Sequence, residues 1–215
     1  AFADAVRLVR NRGRYMQEAV PVGVGAMAAI LGLDEAGVTQ ACLEAAEGEV
    51  VSPANVNAPG QVVIAGTPAA VARASIRAKA LGAKRAIPLQ VSAPFHCAMM
   101  KPAEERLAPE LRAATSHDPR VPVVANVDGE PKRSAADAID ALIRQVSSPV
   151  QWERVIGRLA SEGVTAYVEV GPGKVLSGLV RKIARDATIL NVEGPEDLSA
   201  VESLFTPARR PADSH

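Results

Sequence analysis

The chain has 215 residues, and its 24 Lys and Arg balance 24 Asp and Glu to a formal net charge of zero. That length suits one large domain or two small ones with a real core, and the even charge offers no basic surplus for nucleic acid and no acidic surplus for disorder. Two cysteines, Cys42 and Cys97, without disulfide or metal spacing, no apolar run of membrane length and no signal peptide point to a cytoplasmic protein that binds no metal.

The chain opens Ala1-Phe2-Ala3-Asp4, without an initiator Met and already inside a helical pattern, so a further N-terminal part is expected ahead of it. Ala1 to Ala19 reads as an amphipathic helix, with Phe2, Ala5, Val6, Val9 and Met16 at three- and four-residue steps. Arg7, Arg10 and Arg14 follow the polar side. Arg12, three after Val9 and four before Met16, points with the apolar residues. An inward guanidinium needs an anionic partner. Either it closes an internal salt bridge or it clamps a substrate carboxylate, whose plane its fork matches.

After Val20-Pro21 the pattern changes. Gly25 to Leu31 is a strand, Asp34 to Ala46 a helix capped by Asp34, and Glu49 to Asn55 a strand. A turn at Asn57 to Gly60 leads to a strand from Gln61 to Ala65. Thr67-Pro68 opens a helix that ends near Gly82, and Ala83 to Val91 is a strand. The order β-α-β-β-α-β is that of a ferredoxin-like unit. It closes just before His96, which stands between that strand and a helix expected over Cys97 to Ala113. An imidazole there can take and return a proton near neutral pH, or simply cap the helix.

The second half predicts a strand over Val121 to Asn126, a helix from its Ser134 cap to Val146, and a helix over Trp152 to Glu162. A strand over Thr165 to Val170, a Gly171-Pro-Gly173 turn, a helix over Lys174 to Ala184, a strand over Ala187 to Val192 and a short helix to Phe205 follow. Such alternation indicates a parallel sheet covered by helices. Pro207 to His215 reads as a polar tail. Gly23-Val-Gly25-Ala-Met-Ala28 lacks the strand before and helix after that a dinucleotide fingerprint requires. The amides of the Gly171 to Gly173 turn are free to face a ligand. Gln145 lies in the last turn of the Ser134 helix, where a carbonyl without a helical partner can accept a proton from an imidazole and hold its tautomer.

Several stretches, taken together and in order, resemble the malonyl-CoA:acyl carrier protein transacylases. They are Arg12-Gly-Arg-Tyr-Met-Gln-Glu-Ala-Val-Pro21, Gly25-Ala-Met-Ala-Ala-Ile30, Asn55-Val-Asn-Ala-Pro-Gly-Gln-Val-Val-Ile-Ala-Gly66, Val91-Ser-Ala-Pro-Phe-His96, Val123-Val-Ala-Asn-Val127 and Val170-Gly-Pro-Gly-Lys-Val-Leu176. The resemblance runs from Ala1 to about Phe205. It implies an α/β-hydrolase-like core, here residues 1–20 and 94–206 and incomplete, with an inserted ferredoxin-like subdomain over 21–93 and a disordered tail over 207–215. It implies His96 as general base, the Gln145 carbonyl as its orienting group, and Arg12 as the clamp on the malonyl carboxylate. Asn55 and Asn57 would belong to the wall facing the acyl-pantetheine arm. Phe95, where some members carry serine, would crowd a branched acyl group. Malonyl-CoA and acyl carrier protein are the implied partners, with coenzyme A thioester as substrate, no cofactor, and a monomeric protein. The family's serine nucleophile sits in a Gly-His-Ser turn, and no Gly-His-Ser occurs here, so the chain by itself is expected to be inactive. A polyketide-synthase acyltransferase shares the chemistry. A carrier-binding relative without catalysis is the alternative from another class, and the presence of Arg12, His96 and Gln145 together argues against it.

Overall fold

A computed structural model of the chain describes residues 1–205, so the tail expected over 207–215 lies outside the described residues. The fold is mixed α/β and divides into two compact units, Ala1–Arg158 and Leu159 onward. No helix among the described residues is long and apolar enough to cross a membrane.

The first unit begins with α1 (Phe2–Ala19). Phe2, Val6 and Val9, expected inside, are exposed at 84%, 52% and 70%. The helix is fully buried only at Tyr15 and Met16, which with the half-buried Leu8 pack on α4 (Lys101–Ala113) and its Leu107 and Leu111. Next comes β1 (Ala26–Leu31), α2 (Glu35–Ala45), β2 (Val51–Ala58), β3 (Gln61–Gly66), α3 (Pro68–Ala80) and β4 (Arg85–Leu89). The caps read from sequence hold: Asp34 accepts from the Gly37 amide at 2.8 Å, and Thr67 accepts from the Ala70 amide with Pro68 in the first turn.

The four strands form one antiparallel sheet in the order β2-β3-β1-β4. Strand β2 runs further than expected, through Asn57 and Ala58. The turn is therefore just Pro59-Gly60, with Gly60 at φ +68° in the left-handed region a two-residue hairpin demands.

Alternation along β1 and β3 sends side chains to two faces. Ala28, Ile30, Val62 and Ile64 pack beneath α2 and α3 against Val38, Cys42, Val71 and Ala74. Full burial of a side chain such as Ile30 stabilises by about 2–3 kcal/mol. The opposite face, with Met27, Val63, Ala65 and Ala54, packs on Cys97 and on the half-buried Phe95 and Met99. The sheet is thus the floor under the His96 segment.

Two expectations change downstream of His96. The residues after it form a 3-10 turn, Ala98–Met100, before α4 begins, so Cys97 is outside the α-helix. The strand expected over 121–126 shrinks to β5 (Val123–Val124), which pairs antiparallel with β6 (Pro131–Lys132). Pro119 and Pro122 remove backbone donors around it. Then α5 (Ala135–Arg144) starts at Ser134, which accepts from the Asp137 amide at 3.1 Å, and α6 (Trp152–Ser161) follows.

The second unit holds β7 (Ala166–Val170), α7 (Val175–Ile183), β8 (Thr188–Val192) and α8 (Leu198–Glu202). Strands β7 and β8 are parallel, with Ala166 opposite Thr188 and Val170 opposite Val192. In the Gly171 to Gly173 turn, read from sequence as offering free amides, the Gly171 amide donates to the Val192 carbonyl at 2.9 Å, and the first amides of α7 beyond it have an internal acceptor. Glu169 takes hydrogen bonds from the Leu176 and Ser177 amides at 3.1 and 2.7 Å and from Asn191 Nδ2 at 3.1 Å.

Candidate functional site

The chain leaves β4 and passes the start of β1 through Ser92-Ala93-Pro94. Pro94 lies so close to Gly25 that a Cβ there would meet its ring carbons at 2.3 Å. A glycine is therefore required where the loop closes down. Phe95 packs into both hydrophobic clusters that flank the loop, and Cys97 donates its thiol to the Pro94 carbonyl at 3.2 Å. Burial raises the Cys97 thiol pKa and pushes that of Cys42 up to about 12. Neither is a thiolate at neutral pH.

His96 itself sits at φ +61°, one of two non-glycine residues with positive φ among the described residues. That conformation costs about 1–2 kcal/mol. It turns the half-buried imidazole away from the helix that follows and toward the end of α5. There Nδ1 meets the main-chain carbonyl of Gln145 at 3.0 Å. A carbonyl only accepts, so Nδ1 carries the proton and Nε2 is left as the basic nitrogen.

Burial lowers the imidazole pKa most, and the nearby charge of Arg12 lowers it further. The Gln145 and Ser148 backbone contacts oppose this, and the net shift is below an ordinary histidine. The ring is accordingly neutral at physiological pH.

Arg12 is half-buried on α1, and burial lowers its pKa too. Two other arginines of the helix are paired, Arg7 with Asp4 at 2.9 Å and Arg14 with Glu18 at 3.8 Å. Among the described residues Arg12 has no carboxylate within ion-pair distance, so the internal salt bridge weighed from sequence is not formed there. Gln17 ties the same helix to the histidine loop, with Nε2 donating to the Val20 and Ser92 carbonyls, each at 3.3 Å.

The segment after Gln145 is held from several sides. Gln145 Nε2 donates to the Ser148 carbonyl at 2.9 Å and the Pro149 carbonyl at 3.3 Å. Val150 then bridges to β2: its amide donates to Ala54 and its carbonyl accepts from Val56, both at 2.8 Å. Asn55 lies opposite Val150 in that bridge. Asn55 and Asn57 are half-buried, between buried Ala54, Val56 and Ala58, on a stretch of β2 whose register against β3 shifts on either side of the Asn55–Val56 pair.

The His96 ring thus meets the Gln145 carbonyl and feels the charge of Arg12, while Asn55 lies opposite Val150, further along the segment that begins at Gln145, and Asn57 lies two residues on from Asn55. Sequence reading missed Gly25, Gln17 and Ser148 as parts of this arrangement. Only the stop signal Ser147-Ser148-Pro149 marked that region, and it marked a helix end. A separate cleft of about 610 Å³, lined by Asp34, Glu35, Gln151, Glu153 and Arg154 among others, includes neither His96 nor Arg12. Its carboxylates suit no anionic substrate. Burial and the neighbouring Glu35 raise the pKa of Glu153 there.

Comparison with known proteins gives consistent matches. Residues 1–198 match the family model described as acyl transferase domain. The malonyl CoA-acyl carrier protein transacylase of Escherichia coli (strain K12) is 55% identical over 203 residues, which cover 94% of this chain and 66% of that protein. A crystal structure of an acyl carrier protein S-malonyltransferase from Vibrio cholerae aligns with TM-score 0.90 at 48% identity, over 94% of this chain and 66% of that one. A malonyl-transacylase solved in complex with its type II PKS acyl-carrier protein aligns equally well, TM-score 0.90 at 46% identity, over 94% of this chain and 66% of that chain. The chain therefore spans just under two thirds of the length of the relatives it matches.

Proposed function

We propose a malonyl-transfer function, from the premise that this chain belongs to the acyl transferase domain family. In this reading it supplies the general base and the carboxylate clamp of a malonyl-CoA:acyl carrier protein transacylase. The observation that carries the reading is the 3.0 Å bond from His96 Nδ1 to the Gln145 carbonyl beside the charge of an Arg12 that has no carboxylate partner among the described residues.

The chemistry follows from that arrangement. Nε2 of His96 takes the proton of a serine hydroxyl as the oxygen attacks the malonyl thioester, and coenzyme A leaves as the thiol. In the second half, Nε2 takes the proton of the carrier protein's pantetheine thiol. The sulfur attacks the acyl-serine, and the serine recovers its proton. The Gln145 carbonyl fixes the tautomer throughout. Arg12 binds the free carboxylate of malonate through its planar fork. Asn55 and Asn57 form part of the wall along the acyl-pantetheine arm, and Phe95 disfavours a branch on the α-carbon. The substrate is a coenzyme A thioester, and the scheme uses no cofactor. Since no Gly-His-Ser occurs in the 215 residues, the serine is expected from sequence outside them.

The architecture is read in the same way. The β-α-β-β-α-β run over 21–93 is taken as a ferredoxin-like subdomain, supported by its strand order β2-β3-β1-β4. It is inserted in an α/β-hydrolase-like core made of 1–20 and 94–206.

The test joins this chain to the part of the Escherichia coli relative that it does not span. That hybrid is expected to move malonyl from coenzyme A to holo acyl carrier protein, followed by thiol release, while the chain alone gives the blank rate. Turnover by the isolated chain, or a folded hybrid that leaves malonyl-CoA untouched, would overturn the proposal.

A further inference from the structure

The Gln145 carbonyl works only if its segment is held still, and the chain has a side-chain contact placed to do this. Glu104, in the first turn of α4, is 8% exposed and is the one buried charged side chain among the described residues. A buried carboxylate is retained only where hydrogen-bonding partners offset its desolvation. Glu104 has two: the largely exposed Lys101 Nζ, one turn back on its own helix, and the Ser147 hydroxyl, 43 residues away.

Ser147 is two residues past Gln145. It lies between the carbonyl that meets His96 and the Val150 bridge to β2. The helix that carries Glu104 follows directly from His96 through the Ala98–Met100 turn. One short helix therefore anchors both the histidine and, across the gap, the segment that orients it.

We propose that Glu104 and Ser147 are positioning residues, which hold the Gln145 carbonyl at hydrogen-bonding distance from His96 Nδ1. This rests on the reading of His96 as the general base. Neither residue touches the reacting atoms. Their effect is on which ring nitrogen carries the proton. With the carbonyl held, Nδ1–H is favoured and Nε2 is the base. With the segment released, Nε2–H gains population and the basic nitrogen points the wrong way.

The experiment is a long-range ¹H–¹⁵N spectrum of the 215-residue chain above the histidine pKa, where three histidines keep the spectrum readable. Wild type is expected to show His96 in the Nδ1–H form. Ser147→Ala, which changes no charge, is expected to lower the ratio of Nδ1–H to Nε2–H about tenfold, the worth of one hydrogen bond. Glu104→Ala should do the same, while Ser147→Thr and Glu104→Gln, which keep the hydroxyl and the acceptor oxygen, should retain the wild-type form. A contact that matters only for stability would lower the urea midpoint and leave the ratio alone. Folded Ser147→Ala and Glu104→Ala variants with the wild-type ratio would overturn the brace and leave the base assignment standing. A wild-type ring already in the Nε2–H form would overturn the His96–Gln145 reading, and the brace with it.

Discussion

Two residues show how differently two regions of this molecule use strain. Glu47, in the turn between α2 and β2, and His96, in the loop after β4, both sit in the left-handed region, at φ +48° and +61°. Around Glu47 the structure is regular. Strand β1 pairs with β3 and β4 in unbroken register, α2 and α3 are capped, and Ile30, Val38 and Ala74 are fully buried. Around His96 there is little regular structure. A glycine–proline contact, one imidazole–carbonyl bond and a bridge at Val150 hold the segment. In the first region the strain is an incidental feature of a turn. In the second it aims a side chain, and the neighbouring sheet supplies the stability that lets it persist.

Glycine substitution separates the two cases. His96→Gly relieves the backbone and removes the ring. In the hybrid protein we expect kcat to fall about 10³-fold, the scale of losing a general base, with the urea midpoint hardly moved. Equal losses of stability and turnover would mean that His96 is structural. Ile30→Ala does the reverse. It should destabilise by about 3 kcal/mol through the cavity it leaves beneath α2 and α3, while kcat per folded molecule stays at the unaltered level. Glu47→Gly should stabilise by about 1 kcal/mol, read as a higher urea midpoint, because the ion pair of the exposed Glu47 with Arg73 at 3.3 Å is worth little.

The smallest effect concerns pH. His96 is held below an ordinary imidazole pKa, chiefly by burial and then by Arg12. The unfolded chain therefore binds its proton first as pH falls. The corresponding stability is present above the ordinary value and is lost as pH drops through the folded one. His96→Gln should flatten that acid-side loss, and Arg12→Ala should move the acid limb of kcat/KM in the hybrid upward. An unmoved limb would separate Arg12 from His96.

The sheet was legible in the sequence because its signals are local. The apolar run Gly25 to Leu31, the caps Asp34 and Thr67, and the break near Gly82 each act within a few residues. The inward aim of Arg12 was also local, a matter of helical spacing. The meeting of His96 with Gln145 was different. Nothing within either segment encodes it, since 49 residues separate them, and only the family resemblance joined them beforehand. The Gly25–Pro94 contact and the Gln17 bonds were invisible for the same reason. Strand β2 overran its expected end because Asn57 reads as a turn residue, yet here it extends an edge paired with Val150 and the hairpin to β3.

The claim everything else depends on is that a cation on α1 and the neutral imidazole serve one acyl group. The direct measurement is kcat/KM of the hybrid for malonyl-CoA and for acetyl-CoA, with Arg12 and with Arg12→Ala. Loss of a bidentate carboxylate contact should lower the malonyl value about 10²-fold while acetyl transfer changes little, so that preference for malonyl disappears. If both substrates fall by the same factor, or if discrimination is unchanged, Arg12 does not hold the carboxylate and the account fails.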